Sequence, residues 1–378
     1  MGAASAIMPR HPVPLLPENL ESGLRSSHLP ALDGLRAVAV FLVVFHHFGI
    51  RAAPGGLGVI IFFVLSGFLI TWLLLGEDER FGTVSVRKFC ARRFLRICPV
   101  FYFYWLLLIA LLLLLHKKIV WEQAIASALF ASNYYQAILG DPNTGFSHTW
   151  ALSVVAQFYL LWPVIFLALR KDRIRLAKAL AGIILAVWAY RGLLHSVLGV
   201  AQGYVFEAFD TRADHLAIGC LLAVMLRSGL LSGFWRTVCS GPAMGLVTAF
   251  LLASSTLAEN LGGVAYRDTV GFVVNPVLSA IMIAQLIAFR RSTPWSWIDW
   301  KWMRYLGRIS YSIYLYQQIV IEQSTRALLA YPRAVQLAGC VASVIAAASI
   351  SHFLVENPSL RIKNRLQRTP SWSTPRAA

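Results

Sequence analysis

Two ionisable side chains bound the first long apolar stretch of the chain. Arg36 and His47 stand eleven residues apart, and everything between them except His46 is Ala, Val, Leu or Phe. At about 100° per residue, eleven residues make three helical turns plus roughly 20°, so both side chains share one face, about 16 Å apart along the axis. An imidazole that titrates near neutral pH takes a proton from a hydroxyl as a general base, or carries an acyl group as a nucleophile. A guanidinium on the same face orients a substrate or stabilises developing negative charge. Ionisable residues within apolar spans are costly and as a rule face a polar interior. Spacing alone leaves a second reading open, in which Arg36 reaches to one membrane interface and His47 sits at the other. His46 points about 100° away, toward a different neighbour.

Other segments combine charge with order. Arg87, Lys88, Arg92, Arg93 and Arg96 form a basic amphipathic stretch before Pro99. It either rests on anionic lipid, or uses Arg93 and Arg96, three apart on one helix face, to hold a phosphorylated ligand through forked hydrogen bonds. Asp210-Thr-Arg212-Ala-Asp214-His215 brings acid, base and imidazole together; it contacts a substrate or is a salt-bridged helix start with Asp210 as the cap. Gly55, Gly56 and Gly58 let helix backbones approach closely, or leave room for a substrate. Glu356, before Pro358, is read as a helix terminus that pairs with a loop arginine.

The elements that must position these residues are membrane helices. Hydrophobic residues make up 58% of the chain and charged residues 13%, too much apolar surface for a soluble fold. Apolar windows of about twenty residues lie near 31–49, 57–75, 99–115, 150–169, 179–199, 212–227, 240–257, 269–289, 305–328 and 333–354. The fold class is therefore an all-α polytopic membrane protein, a bundle of about ten transmembrane helices. The segment near 121–139 carries Glu122, Gln123, Ser132, Asn133 and Tyr135. If it does not cross, the basic loops around Arg92, Arg170 and Arg290 share one side with the basic C-terminus, and that side is the cytoplasm. The segment is accordingly read as re-entrant or interfacial, with both termini cytoplasmic. The net charge of +17 is then a topology signal and not a nucleic-acid footprint. Cys90, Cys98, Cys220, Cys239 and Cys340 show no metal-ligand spacing, so neither a disulfide framework nor a metal site is expected. No cleavable signal peptide is apparent in the first thirty residues. The chain divides into a disordered tail over 1–29, a membrane domain over 30–361 and a basic disordered tail over 362–378.

Taken together, these segments resemble the membrane acyltransferase family 3, whose members include O-antigen, peptidoglycan and exopolysaccharide O-acetyltransferases. The resemblance runs from about Pro30 to Arg361. It rests on Asp33-Gly-Leu-Arg36 with His47, the run from Gly58 to Thr71, Arg93-Phe-Leu-Arg96, and Trp150-Ala-Leu-Ser153 leading to Gln157-Phe-Tyr159. It continues through Asp210 to Asp214, Gly307-Arg-Ile-Ser310 and Glu356-Asn-Pro358. The order of these weak motifs along one chain carries the assignment.

The resemblance implies an enzyme of the bacterial cytoplasmic (inner) membrane that moves an acyl group, acetyl foremost, from cytoplasmic acyl-CoA to a carbohydrate hydroxyl. No bound cofactor is implied; acyl-CoA is a co-substrate, and lipid and the carbohydrate are the other partners. It places the coenzyme phosphates near Arg93 and Arg96, with Ser66 also on the donor side, and threads the acyl-pantetheine arm toward Arg36 and His47. His47 becomes the general base. Asp210, Arg212, Asp214, Gln157, Tyr159 and Gln317 are the acceptor-side candidates. Two departures stand out: Val155 and Ala156 occupy positions where the family usually has glutamates, and Gln317 follows Tyr-Leu-Tyr where many members have histidine. Asp210, Asp214 or Glu207 would then supply the missing charge. Two other classes compete, a transporter of a lipid-linked sugar and a non-catalytic glycan-binding or scaffold member.

Overall fold

The computed structural model describes residues 16–25, 29–199 and 202–361, and among them every regular element is helical. In chain order the α-helices are α1 (Glu18–Leu24), α2 (Pro30–His47), α3 (Gly55–Phe81), α4 (Val86–Leu114), α5 (Trp121–Ala128), α6 (Ser132–Leu139), α7 (Trp150–Leu169) and α8 (Arg173–Ser196). They continue as α9 (Gln202–Glu207), α10 (Phe209–Ser228), α11 (Ser232–Val238), α12 (Ala243–Tyr266), α13 (Phe272–Phe289), α14 (Lys301–Arg308), α15 (Ser310–Ala327) and α16 (Arg333–Ser351).

Each of the ten apolar windows overlaps at least one of these helices. By length and composition, seven stretches qualify as membrane spans, one of them the 47-residue run Ala243–Phe289 that holds both α12 and α13. Gln202–Ser228 qualifies only together with Ser232–Val238, from which it is bent by 105°, as one broken span or re-entrant loop. Leu106, Leu114, Leu160, Val164, Phe250 and Leu261 expose large apolar side chains, as a lipid-embedded surface does. The protein is an integral membrane protein. In the segment 121–139, α5 and α6 have eight residues each. At 1.5 Å per residue each spans roughly 12 Å, too short to cross a bilayer.

The chain divides into two units: Met1–Val84 with Val120–Ser310, and Ser85–Ile119 with Tyr311–Ala378. In the first, α3 is the central helix. It packs along α10 through reciprocal glycines: a side-chain carbon on Gly67 would collide with the Leu216 carbonyl, and one on Gly219 with that of Val64. Of the glycines that open the second span, Gly58 meets the packing reading, since a side-chain carbon there would collide with the Ala39 carbonyl, and Gly55 lies against the His46 ring, whereas a carbon on Gly56 would meet nothing within 4 Å. At one end of α3, Asp78 pairs with Arg170 and with Arg173 at 3.1 Å, while Glu79 pairs with Arg227 at 2.6 Å. Asp172 caps α8 by accepting from the amides of Ile174 and Arg175. Between α12 and α13 the backbone turns through Gly263 (φ 61°) and a single π-helical turn, Arg267–Gly271. A π turn widens the helix locally and re-aims its side chains.

The expectation of disorder over 1–29 needs correction at Glu18–Leu24, which is helical. Leu16 and Leu20, one turn apart, give it an apolar face, and Leu20 is fully buried. Asn19 donates to the carbonyl of Cys239 at 3.4 Å. The expected tail over 362–378 lies outside the described residues.

In the second unit, Glu356 is buried and accepts from Arg96, from Ser312 at 3.1 Å and from His352 at 3.0 Å. The expected arginine partner of Glu356 is Arg96, but Arg96 lies within α4 and not in a loop, and the helix runs on through Glu356 to Arg361 instead of ending there. Tyr311 donates to the Ile97 carbonyl at 2.9 Å, and the Tyr104 and Tyr316 rings meet edge to face at 5.4 Å.

The glycine contact predicts that Gly219→Val destabilises the chain by about 1–3 kcal/mol, the usual cost of overpacking, because the obstacle is backbone. Gly182→Ala, whose new carbon meets nothing within 4 Å, leaves the thermal unfolding midpoint in detergent unchanged or slightly raised.

Candidate active site

Arg36 and His47 both lie on α2, as the spacing requires. Arg36 pairs with Asp33, one turn earlier, at 3.2 Å. The backbone of Asp33 also abuts Gly307, where no side-chain carbon fits, so the Asp-Gly-Leu-Arg and Gly-Arg-Ile-Ser motifs meet. His46 and His47 end α2 and are exposed. The His46 Nδ1 lies 3.2 Å from the Ala53 carbonyl, and Gly55 makes room for its ring. Ser66 is half-buried on α3.

The richest chemistry gathers at the start of α10. Arg212 is fully buried, and four aromatic rings surround its guanidinium: Phe272 at 3.9 Å, Phe206 at 5.3 Å, and Phe63 and Trp150 at 5.8 Å each. Three motifs converge here, since Phe63 belongs to the Gly58–Thr71 run and Trp150 opens Trp-Ala-Leu-Ser. Cation–π attraction favours such a cage when water is excluded. None of the three Arg212 nitrogens has a hydrogen-bond partner among the described residues.

Asp214, one position beyond Ala213, is fully buried and saturated. It accepts from Arg191 at 2.9 and 3.3 Å and from Trp188 at 2.9 Å, and it lies 2.9 Å from the His215 Nδ1. Arg191 is itself buried and also donates to the carbonyls of Thr211 and Phe272, at 2.6 and 3.2 Å. Buried charge is tolerated only when paired and hydrogen-bonded in this way. The π turn supplies a second ion pair, Arg267 to Asp268 at 2.8 Å, with the Arg267 guanidinium 4.8 Å from the Phe206 ring. Glu259 lies in the fields of Arg267, Arg212, Asp268 and His46, and Glu207 in those of Asp141 and Arg212.

Asp210 does not cap α10: its carboxylate accepts from Tyr134 at 2.8 Å and Tyr204 at 3.0 Å, and the cap position is Ala208. Burial, reinforced by Asp210, pushes the Tyr134 phenol up to about 12, so it keeps its proton and remains the donor. Gln157 forms a reciprocal amide pair with Asn133, at 2.9 and 3.1 Å, and donates to the Phe130 carbonyl. Tyr159 is buried on the same helix.

Residues 29–352 match the acyltransferase domain family. The chain belongs to that family. It is 31% identical over 355 residues to peptidoglycan O-acetyltransferase OatA of Listeria monocytogenes, covering 88% of this chain and 56% of that protein. It is 30% identical over 318 residues to the putative peptidoglycan O-acetyltransferase YrhL of Bacillus subtilis, covering 79% of this chain and 49% of that one. The O-acetyltransferase OatA of Staphylococcus aureus matches over 221 residues at 31% identity, covering 54% of this chain and 36% of that protein. The chain thus spans about half the length, or less, of these curated relatives. No solved structure matches it.

On α7, Val155 and Ala156, the two positions where the resemblance implied glutamates, are both half-buried. Of the carboxylates expected to compensate, Asp210 is held by tyrosines and Asp214 by Arg191, which leaves Glu207 in the field of Arg212. Arg93, Arg96 and Gln317 belong to the other unit. There Arg93 lies 5.6 Å from the Phe89 ring, and Gln317 is buried. Arg191, Trp188, Arg267 and Asp268 were not anticipated from the sequence. Arg191 did carry a signal, as the only charged residue within the apolar window 179–199. A groove of about 460 Å³ elsewhere in the first unit is walled by Leu35, Leu57, Leu252, Met282 and Trp295 among others. Its walls are almost wholly apolar and suit a hydrocarbon chain better than acyl transfer.

Asp214→Leu leaves Arg191 buried without its carboxylate and destabilises the protein by about 3–5 kcal/mol. Arg191→Leu combined with Asp214→Leu costs less than Asp214→Leu alone, as measured by thermal unfolding midpoints in detergent.

Proposed function

We propose that the chain is a membrane O-acyltransferase that moves an acyl group, acetyl foremost, from cytoplasmic acyl-CoA to a hydroxyl of a cell-surface or lipid-linked carbohydrate. In this reading it works in the bacterial cytoplasmic membrane, as a bundle of about ten spans with both termini cytoplasmic. The observation that carries the proposal is the placement of His47 at the end of α2, eleven residues after Arg36, in a chain that belongs to an acyltransferase family. The names of the relatives support the acceptor class, since two of them are peptidoglycan O-acetyltransferases, one putatively so.

The chemistry follows from those groups. A neutral His47 imidazole takes the acceptor hydroxyl proton as the oxygen attacks the thioester carbonyl. The carbon–sulfur bond breaks, the imidazolium returns the proton to the leaving thiolate, and free coenzyme thiol and an ester are the products. Arg36 orients the donor or stabilises the developing oxyanion. Arg93 and Arg96 hold the coenzyme phosphates, with Arg96 fixed in place by Glu356.

A binding-only member of the family is the second reading, supported by uncharged Val155 and Ala156 on α7 where the resemblance implied glutamates. The two readings separate in thiol release from acetyl-CoA by purified protein given a membrane glycan acceptor. Transfer predicts turnover by the wild type and a loss of about 10²-fold or more in His47→Ala. Silence of the wild type, with acetylation by Ala156→Glu on the same acceptor, favours binding only. In the active protein Glu356→Gln releases Arg96 and raises the KM for acetyl-CoA, by about tenfold for one lost charge-assisted contact, while the acceptor KM holds.

A further inference from the structure

The groove of about 460 Å³ in the first unit has fixed ends and a polar continuation. α2, α12 and α13 wall it, through Leu35, Leu42, Leu252, Leu257, Met282 and Leu286 among others. Its volume lies in the range of small-ligand sites. At one end stands the Trp295 ring, which is fixed twice: its Nε1 donates to the Pro242 carbonyl at 2.8 Å, and Gly245 packs against it where no side-chain carbon fits. The other end reaches Ala52, Pro54 and Asn260. At 1.5 Å per residue, the stretch of α2 from Leu35 to His47 sets the two ends about 18 Å apart.

The register of α2 decides what stands at that second end. Leu35, Leu42 and His46 follow one another at seven and four residues, within roughly 20° of one face, so His46 continues the stripe that walls the groove. Its ring is held in place, since Nδ1 lies 3.2 Å from the Ala53 carbonyl and a side-chain carbon on Gly55 would collide with it. His46 and Arg51 are exposed, and Ala52, next to Arg51, lines the groove. Glu259, next to Asn260, is turned toward Gly271, its Oε2 3.8 Å from where a Gly271 side-chain carbon would be. A hydrocarbon cleft is thus continued by an imidazole, a guanidinium and an amide. His47 lies about 100° around the helix, its ring centroid 5.7 Å from that of His46.

These features select the occupant. A bare hydrocarbon would leave His46 and Arg51 unused, whereas a phosphate is complementary to both. A long acyl chain on the donor would approach along the Arg36–His47 face, about 100° away from the stripe. An ordinary two-tailed phospholipid would bring no sugar hydroxyl to His47. A sugar joined through phosphate to one long tail fits each part of the surface.

We propose that the groove holds the hydrocarbon tail of a lipid-phosphate-linked saccharide. The tail lies along Leu35, Leu42 and Met282, the phosphate meets His46 and Arg51, and the sugar stands beside His47. The acceptor is thereby presented from within the bilayer. The word acceptor rests on the transferase reading, but the lipid site itself needs no turnover.

The test uses the full chain in phosphatidylcholine nanodiscs with photoreactive lipids that carry a diazirine midway along the tail, and maps the crosslinked peptides. The probes are the hexadecyl phosphodiester of N-acetylglucosamine, neutral hexadecyl N-acetylglucosaminide, phosphatidylglycerol and palmitoyl-CoA. The phosphodiester is expected to label the groove faces of α2, α12 and α13 about tenfold more than phosphatidylglycerol at equal mole fraction, as for one charge-assisted contact. Ala253→Trp fills the groove from an exposed position, and it is expected to abolish most of that labelling while the thermal unfolding midpoint holds. Arg51→Gln is expected to weaken labelling by the phosphodiester and not by the neutral glycoside. Equal labelling by the phosphodiester and phosphatidylglycerol overturns the proposal, as does labelling that survives Ala253→Trp. Preferential labelling by palmitoyl-CoA also overturns it, by giving the groove to the donor. If the groove is labelled as expected but no thiol is released from acetyl-CoA, the lipid site stands and the transferase reading falls. If the phosphodiester is acetylated with an unaltered KM in Ala253→Trp, the reverse holds.

Discussion

A charge placed inside an apolar helix bundle has to be met by an opposite charge or by hydrogen bonds, and the first unit of this protein is arranged around that requirement. Asp214 is the carboxylate on which the arrangement turns. Arg191 and Trp188 donate to it, and the His215 Nδ1 lies against it. Those contacts tie α8 to α10, and the further reach of Arg191 to the Phe272 carbonyl ties in α13. Breaking one partner leaves the other buried and uncompensated, which makes the network cooperative. Arg212 stands beside it under the same constraint with a different answer, a ring of aromatic side chains and no hydrogen bond among the described residues.

The small residues of α3 and α10 make that arrangement reachable. Gly67 and Gly219 bring the two backbones together, and the same register of α3 places Phe63 against the Arg212 guanidinium. Packing and chemistry are thus carried by one motif, the run from Gly58 to Thr71. The π turn at Arg267–Gly271 makes the complementary contribution from the other side, presenting the Arg267–Asp268 pair and leading into Asn275.

Much of this was legible in the sequence. The apolar windows located the long helices, because lipid demands uninterrupted apolar runs whose backbone groups are satisfied internally. The eleven-residue spacing put Arg36 and His47 on one helix, and acid–base density singled out Asp210 to His215. The Glu356 pairing was also readable, though its partner Arg96 was not. Interactions between distant segments were not readable. Asp210 reads as a cap because caps are local, yet it turns to Tyr134 and Tyr204, 76 and 6 residues away. Arg191 stood out as a charge inside an apolar window, but its partner Asp214, 23 residues on, was not readable from it. The helix Glu18–Leu24 was missed because a seven-residue amphipathic turn embedded in Pro and Ser has no stability of its own.

The central proposal is that His47 acts as the general base of acyl transfer. It is tested most directly by the pH dependence of thiol release from acetyl-CoA in the wild-type chain and in His47→Gln. A wild-type rate that rises as an imidazole loses its proton, with that rise absent from the residual rate of His47→Gln, is the expected result. The same rise in both chains would contradict it.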